Sequence, residues 1–143
     1  MRVSAWPERL SAYLEKARNQ PHKYGKHDCL LFIAGAVKAV TGKDHGRGHR
    51  RKYKSATSAA RYLGKLGARS PEEYLDKLFE AKPIGFAQMG DLALVDIGDQ
   101  QLPGVVLGDE AVVVADIETG DSELYQGLVR VPRALWLKAW AVG

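Results

Sequence analysis

Cys29, the only cysteine of the chain, lies at a position where a thiol would be activated. It follows Asp28, whose side chain is typical of a helix N-cap, and it precedes the apolar run from Leu30 to Val37. A thiol in the first turn of a helix faces unpaired backbone N–H groups and the positive end of the helix dipole, and both favour the thiolate. The pattern therefore makes Cys29 a candidate nucleophile, and the alternative is a small buried hydrophobic residue.

A cysteine nucleophile needs a base within hydrogen-bond reach. All four histidines lie before residue 50: His22, His27, His45 and His49. His27 is two residues from Cys29 and is the candidate base, and the alternative is a polar residue that bonds the local backbone. His45 and His49 lie on a glycine-rich segment without a paired carboxylate or a cysteine at ligand spacing, so we predict no metal site and no cofactor.

Positive charge is concentrated between Lys43 and Lys54, which we call the basic segment. It contains six lysines and arginines and a single acid, Asp44. Such a segment could contact nucleic acid, an anionic polymer of the cell surface or an acidic patch on a partner, and the alternative is a solvated loop. Nucleic acid is the weaker of these hypotheses, because no nucleic-acid-binding motif or series of aromatic residues accompanies the charge. The candidate binding residues are Arg50, Arg51, Lys52 and Tyr53, and Tyr53 and Trp136 are candidate apolar anchors for a partner.

Helical periodicity and capping residues predict four helices in the first half of the chain. The second helix carries a single charge, Lys38, in its last turn, so we expect other elements to surround it. The predicted helices cover Trp6 to Asn19, Asp28 to Thr41, Ser55 or Thr57 to Leu66, and Ser70 to Phe79.

Strand patterns follow Pro83 and predict a sheet. Because the helices come first and the strands last, we predict one α+β domain over residues 1–143, with an antiparallel sheet packed against the cysteine helix. Asp91 is expected to be a structural hydrogen-bond acceptor, and no apolar run is long enough to cross a bilayer. The predicted strands cover Asp91 to Asp96, Leu102 to Leu107, Ala111 to Asp116, Leu128 to Val131 and Leu135 to Val142.

Three stretches carry a family resemblance: Pro21 to Gly25 followed by Asp28-Cys29, then Met89 to Leu94, then Gly104 to Gly108. They resemble the Pro-Tyr-x-Trp-Gly and Asp-Cys motifs, the Pro-Gly-Asp-Leu strand and the strand after the catalytic histidine of NlpC-type cell-wall endopeptidases. These enzymes are a branch of the papain-like cysteine peptidases. The resemblance implies a papain-like fold with Cys29 in the nucleophile position, an antiparallel sheet of about five to six strands, and peptidoglycan peptide stems as substrate.

A second pattern of residues spans nearly the whole chain. It resembles the pattern of small phage and prophage members of this superfamily, which are encoded among tail genes. This resemblance implies a tail-tip or baseplate-associated virion component, made in the bacterial cytoplasm and located finally in the tail. Other tail proteins, and peptidoglycan, are the partners it implies. The matches are Trp6-Pro7-Glu8-Arg9-Leu10, His27-Asp28-Cys29, Tyr53, Gly90-Asp91, Gly127-Leu128 and Ala139-Trp140.

Two departures from the endopeptidase pattern bear on the chemistry. Leu102 stands at the position of the catalytic histidine, two residues before the strand glycine, and a leucine cannot act as a base. His22 stands where the family has a tyrosine of the oxyanion hole, and its imidazole is the candidate donor there. This alignment predicts that Cys29 faces the sheet near Leu102. We therefore expect a structural or accessory component with a degenerate site, a pseudoenzyme, and the alternative is an active cysteine hydrolase.

Overall fold

A computed structural model of the chain describes residues 1–114 and 128–143, and within them four helices precede a six-stranded sheet. The predicted α+β order is confirmed. The helices are α1 (Trp6–Ala17), α2 (Cys29–Thr41), α3 (Ala56–Lys65) and α4 (Pro71–Leu78). The strands are β1 (Ala81–Lys82), β2 (Leu92–Ile97), β3 (Gln100–Val106), β4 (Glu110–Val114), β5 (Leu128–Pro132) and β6 (Trp136–Trp140).

All described strand pairs are antiparallel, and the order across the sheet is β1-β6-β2-β3-β4-β5. The final strand, β6, therefore lies between β1 and β2 rather than at the edge after β5. A 3₁₀ turn at Arg133–Leu135 shortens the strand predicted from Leu135. The end of the strand predicted over Ala111 to Asp116 and the residue Gly127 lie outside the described residues.

Helix α2 is the centre of the fold, as its apolar sequence predicts. Asp28 caps its N-terminus, and Gly42 ends it with a φ of 81°. Eight of its 13 residues are buried, so other elements cover it on most sides. Its residues Phe32 and Val37 pack in one cluster with α1, α4 and the facing side of the sheet.

The two faces of the sheet contribute to different clusters, because side chains alternate along each strand. Leu92 of β2 and Val105 of β3 pack on the same side as α2. Their neighbours Ala93 and Val106 pack in a second cluster on the opposite side, which also contains Trp136. None of the helices in the described part of the chain is long and apolar enough to cross a membrane.

Candidate functional site

A tight hairpin brings the chain to the start of α2. The backbones of Lys23 and His27 exchange two hydrogen bonds of 2.8 Å each. Gly25 makes the turn between them with a φ of 80°, a conformation that residues with a Cβ rarely adopt. The hairpin ends directly before Asp28 and Cys29, so a short local motif positions both residues.

The carboxylate of Asp28 holds three segments together. Its Oδ1 accepts a hydrogen bond of 3.0 Å from the backbone N–H of Leu31, which is the N-cap interaction. Its Oδ2 accepts bonds from the backbone N–H of Gly25 at 2.9 Å and from the hydroxyl of Tyr53 at 2.8 Å. Asp28 is only 3% exposed. Both carboxylate oxygens are thus engaged in joining the hairpin, α2 and the basic segment.

The basic segment crosses closely over the hairpin at Gly25. The backbone N–H of Arg51 donates a hydrogen bond of 2.8 Å to the carbonyl of Gly25. A Cβ added to Gly25 would overlap the carbonyl oxygen of Tyr53. Glycine is therefore required at this position both by the backbone conformation and by the close contact.

We expect Gly25→Ala to lower the free energy of unfolding by about 2–4 kcal/mol, because the added methyl group forces the basic segment away from the hairpin. Gly48→Ala is the matched control: Gly48 has a similar φ of 85°, and its Cβ would meet open space. That control is expected to cost about 1–2 kcal/mol, which is the strain of the left-handed backbone alone. Urea denaturation measures both changes, and equal losses at the two positions would contradict the steric argument.

The surroundings of Cys29 oppose the thiolate. Part of the residue reaches solvent, but the thiol is surrounded by protein, and this burial raises the pKa of Cys29 to about 12. The carboxylate of Asp28 raises the pKa further, while backbone N–H groups of Leu30 and Cys29 lower it. The backbone N–H groups at the helix N-terminus thus favour the thiolate as expected, but they do not decide the pKa of Cys29. Desolvation and a neighbouring negative charge outweigh the helix dipole here.

No histidine is paired with the thiol. His27 is buried, its ring lies edge-on to Phe32 at a centroid distance of 6.1 Å, and its Nε2 has no hydrogen-bond partner among the described residues. Burial lowers the pKa of His27, so its ring is neutral at pH 7. His22 is partly exposed, and its ring packs against Tyr24 at 4.6 Å. The structure brings both imidazoles near the start of α2 but does not join either to Cys29 by a hydrogen bond.

Leu102 does not face Cys29, so that prediction is wrong. Leu102 packs in the second cluster, on the side of the sheet away from α2. Its neighbour Pro103 pairs with Leu94, whose side chain points to the α2 side. The buried α2-facing positions of β3 thus hold Pro103 and Val105, and neither can act as a base.

The basic segment is a folded element of the structure. Arg50 makes two hydrogen bonds of 3.1 Å to the carboxylate of Asp44. Tyr53 is only 8% exposed and Trp136 only 4%. Neither aromatic side chain offers the exposed apolar anchor that we predicted, because each packs in the protein interior. Arg51 and Lys52 remain exposed.

An apolar cavity of about 110 Å³ adjoins Cys29, between α2, α3, α4 and the basic segment. One wall consists of Ala59, Tyr62 and Leu63 of α3 together with Leu66, the C-cap of that helix. His49, from the basic segment, also lines the cavity, and its Nδ1 lies 2.6 Å from the hydroxyl of Tyr62. We did not predict this cavity, since the same helical spacing is typical of a stripe that packs in a core.

Within residues 1–114 and 128–143, no three His, Cys, Asp or Glu side chains are grouped so that they could hold a metal ion. A comparison with curated proteins found no match to the chain. A family model described as a domain of unknown function, DUF6950, matches residues 1–142. The chain therefore belongs to the DUF6950 family.

Proposed function

We propose that this domain is a non-catalytic accessory component of a phage-type tail tip or baseplate, built on an NlpC-like, papain-like scaffold whose peptidase chemistry has been lost. The order of elements supports the scaffold, because a cysteine begins a central helix that packs against a following antiparallel sheet. The tail location rests on the sequence resemblance. The domain then acts by binding other tail proteins.

The surroundings of Cys29 support the loss of chemistry: no histidine of the chain is hydrogen-bonded to its thiol, and burial raises its pKa. The raised pKa of Cys29 leaves very little thiolate at neutral pH. The chain has no histidine after His49, so the sheet cannot supply an imidazole. The acid beside the thiol, Asp28, is bonded to three donors as a structural element. A missing general base alone typically reduces a rate by about 10²–10⁴-fold.

We expect Cys29 in the folded protein to react with iodoacetamide about 100-fold more slowly at pH 7.5 than in the urea-unfolded chain. Unfolding returns the pKa to about 8.5 and so increases the thiolate fraction, while the lower basicity of that thiolate offsets part of the gain. The rate for the folded protein should rise with pH through pH 10 without a plateau, because its pKa is near 12. Mass spectrometry of the alkylated protein measures both rates.

Two parallel assays separate the accessory role from the alternative of an active hydrolase. Purified wild-type protein and Cys29→Ala should both fail to release peptide stems from peptidoglycan. Particles assembled with Cys29→Ala should contain the domain and infect as wild-type particles do. A plateau in reactivity near neutral pH together with release that depends on Cys29 would establish the hydrolase instead. Absence of the domain from purified wild-type particles would reject the tail role.

A further inference from the structure

The apolar side of α3 faces the cavity more than it faces packed protein. Leu63 is the only buried residue of this helix. No residue of α3 belongs to the cluster that α2 forms with α1, α4 and the facing side of the sheet. Ala59, Tyr62 and Leu66 line the cavity and are each partly exposed. On the opposite rim, Leu78 of α4 is 36% exposed. The cavity is therefore open to the surface, with apolar side chains around its mouth.

The size of the cavity suits a single apolar side chain. An engineered apolar cavity of about 150 Å³ in another protein stays dry and binds benzene. The cavity here, at about 110 Å³, is somewhat smaller and has similarly apolar walls. Filling it with an apolar group removes that group from water and restores the dispersion contacts that the walls lack.

Positive charge lies on one side of this cavity. His45, Gly46 and His49 of the basic segment form part of the wall, so the neighbouring cations of that segment are only a few residues away. Arg50 is paired with Asp44, whereas Arg47 and other cations of the segment make no ion pair with any described residue. A ligand with negative charge beside its apolar group would complement this arrangement.

The acids on the α4 side do not cancel this charge, because basic side chains already pair with them. The ammonium group of Lys138 lies 2.7 Å from the carboxylate of Asp76 and 3.7 Å from that of Glu72, and forms an ion pair with each. Glu73 accepts from Arg69 at 2.9 Å. Glu80, which follows Phe79 of the cavity wall, forms no ion pair with any described residue. This single acid lies beside several unpaired cations of the basic segment, so the net unpaired charge next to the cavity is positive.

We infer that the cavity receives one aromatic or aliphatic side chain from an acidic segment of a partner protein, with the basic segment binding the flanking carboxylates. This inference rests on the proposed docking role and names the surface that carries it. The apolar anchor at this site comes from the partner, because this chain offers a cavity there and the two anchors predicted from its sequence, Tyr53 and Trp136, are buried. Anchors in fully desolvated pockets commonly supply most of the affinity of an interface, and the charges speed and orient association.

A titration of the ¹⁵N-labelled domain with three synthetic peptides tests this inference. The first peptide has one phenylalanine flanked on each side by two aspartates, the second has alanine in place of phenylalanine, and the third has lysines in place of the aspartates. At low salt the first peptide should shift the backbone amide signals of α3 and residues 45–49. The alanine peptide should bind at least tenfold more weakly, because it lacks the phenyl group that the cavity would bury. The lysine peptide should also bind at least tenfold more weakly, because its charge repels the basic segment.

Two substitutions on α3 provide the matched variants. Ala59→Phe should fill the cavity and weaken binding of the phenylalanine peptide at least tenfold. Ala60→Phe adds the same group at an exposed position outside the cavity and should leave binding unchanged. The three peptides on the wild-type domain give the answer even if Ala59→Phe does not fold.

Several outcomes would overturn the inference. Equal binding of the phenylalanine and alanine peptides would show that charge alone binds them, and equal binding of the acidic and basic peptides would remove the role of the basic segment. Binding of free phenylacetate as tightly as the peptide would indicate a small-anion site. No shift at millimolar peptide would reject the site. None of these results depends on Cys29 or on particle assembly, so the proposed tail role is tested separately.

Discussion

Asp28→Ala is expected to lower the free energy of unfolding by about 3–4 kcal/mol, because it removes three hydrogen bonds at once. The backbone N–H groups of Leu31 and Gly25 and the hydroxyl of Tyr53 would all lose the acceptor that they share. Asp28 is 3% exposed, so water cannot readily replace the lost carboxylate. Urea denaturation followed by circular dichroism measures the change, with an unchanged m-value as the sign of two-state behaviour.

Tyr53→Phe is the control that isolates one of these three interactions. It removes only the hydroxyl that donates to Asp28 and keeps the ring, which packs near Tyr62 at a centroid distance of 5.6 Å. The expected cost is about 1 kcal/mol. If Asp28→Ala lowered the free energy of unfolding no more than Tyr53→Phe does, the carboxylate would not be what holds the hairpin, α2 and the basic segment together.

Helix α2 was predictable from local signals. Asp28 accepts from Leu31 as an N-cap, the apolar run that follows is buried, and Gly42 ends the helix in a left-handed conformation. The two caps each act over four or fewer residues, so the local amino-acid sequence specifies them. The apolar run between them predicts burial from its composition. The same locality explains why α4 begins at Pro71 after the N-cap Ser70, within one residue of the prediction.

The face on which Leu102 lies was not predictable in this way. A shift of one residue in strand register moves every side chain to the other face of a sheet. The glycine motif places Leu102 at the position of a catalytic histidine, but the pairing of Val95 with Leu102 puts both in the second cluster. Strand register depends on pairing with residues that are distant in sequence from this motif. For example, β2 pairs on its other side with β6, which lies at the far end of the chain.

The electrostatics of Cys29 depend on tertiary structure as well. The helix dipole is a local property and favours the thiolate. Burial and the direction of the Asp28 carboxylate are not local, because Tyr53, 25 residues away, helps to fix that carboxylate. Their combined effect raises the pKa of Cys29. A cysteine at a helix N-terminus is therefore a weak indicator of reactivity until its surroundings are known.

The second large effect is expected for Asp91→Ala, with a loss of about 3–5 kcal/mol in the free energy of unfolding. The prediction that Asp91 is a structural acceptor is confirmed, since it is 2% exposed and accepts four hydrogen bonds. Arg2 at 3.0 Å and Lys82 at 2.7 Å are its ionic partners. The backbone N–H groups of Gln88 and Val142 are the other two donors.

Asp91 thereby fixes both ends of the chain to the start of β2, because Arg2 also donates to the carbonyl of Val142. Its removal leaves two cations and two amides without their acceptor, so hydrogen exchange at the Val142 amide should quicken along with the loss of stability. Arg69→Ala is the control, since Arg69 forms an ion pair with Glu73 but is 91% exposed, and its loss should cost under about 0.5 kcal/mol. Slow exchange at Val142 in Asp91→Ala would mean that the termini are held by other contacts, and would contradict the role of Asp91 as their common anchor.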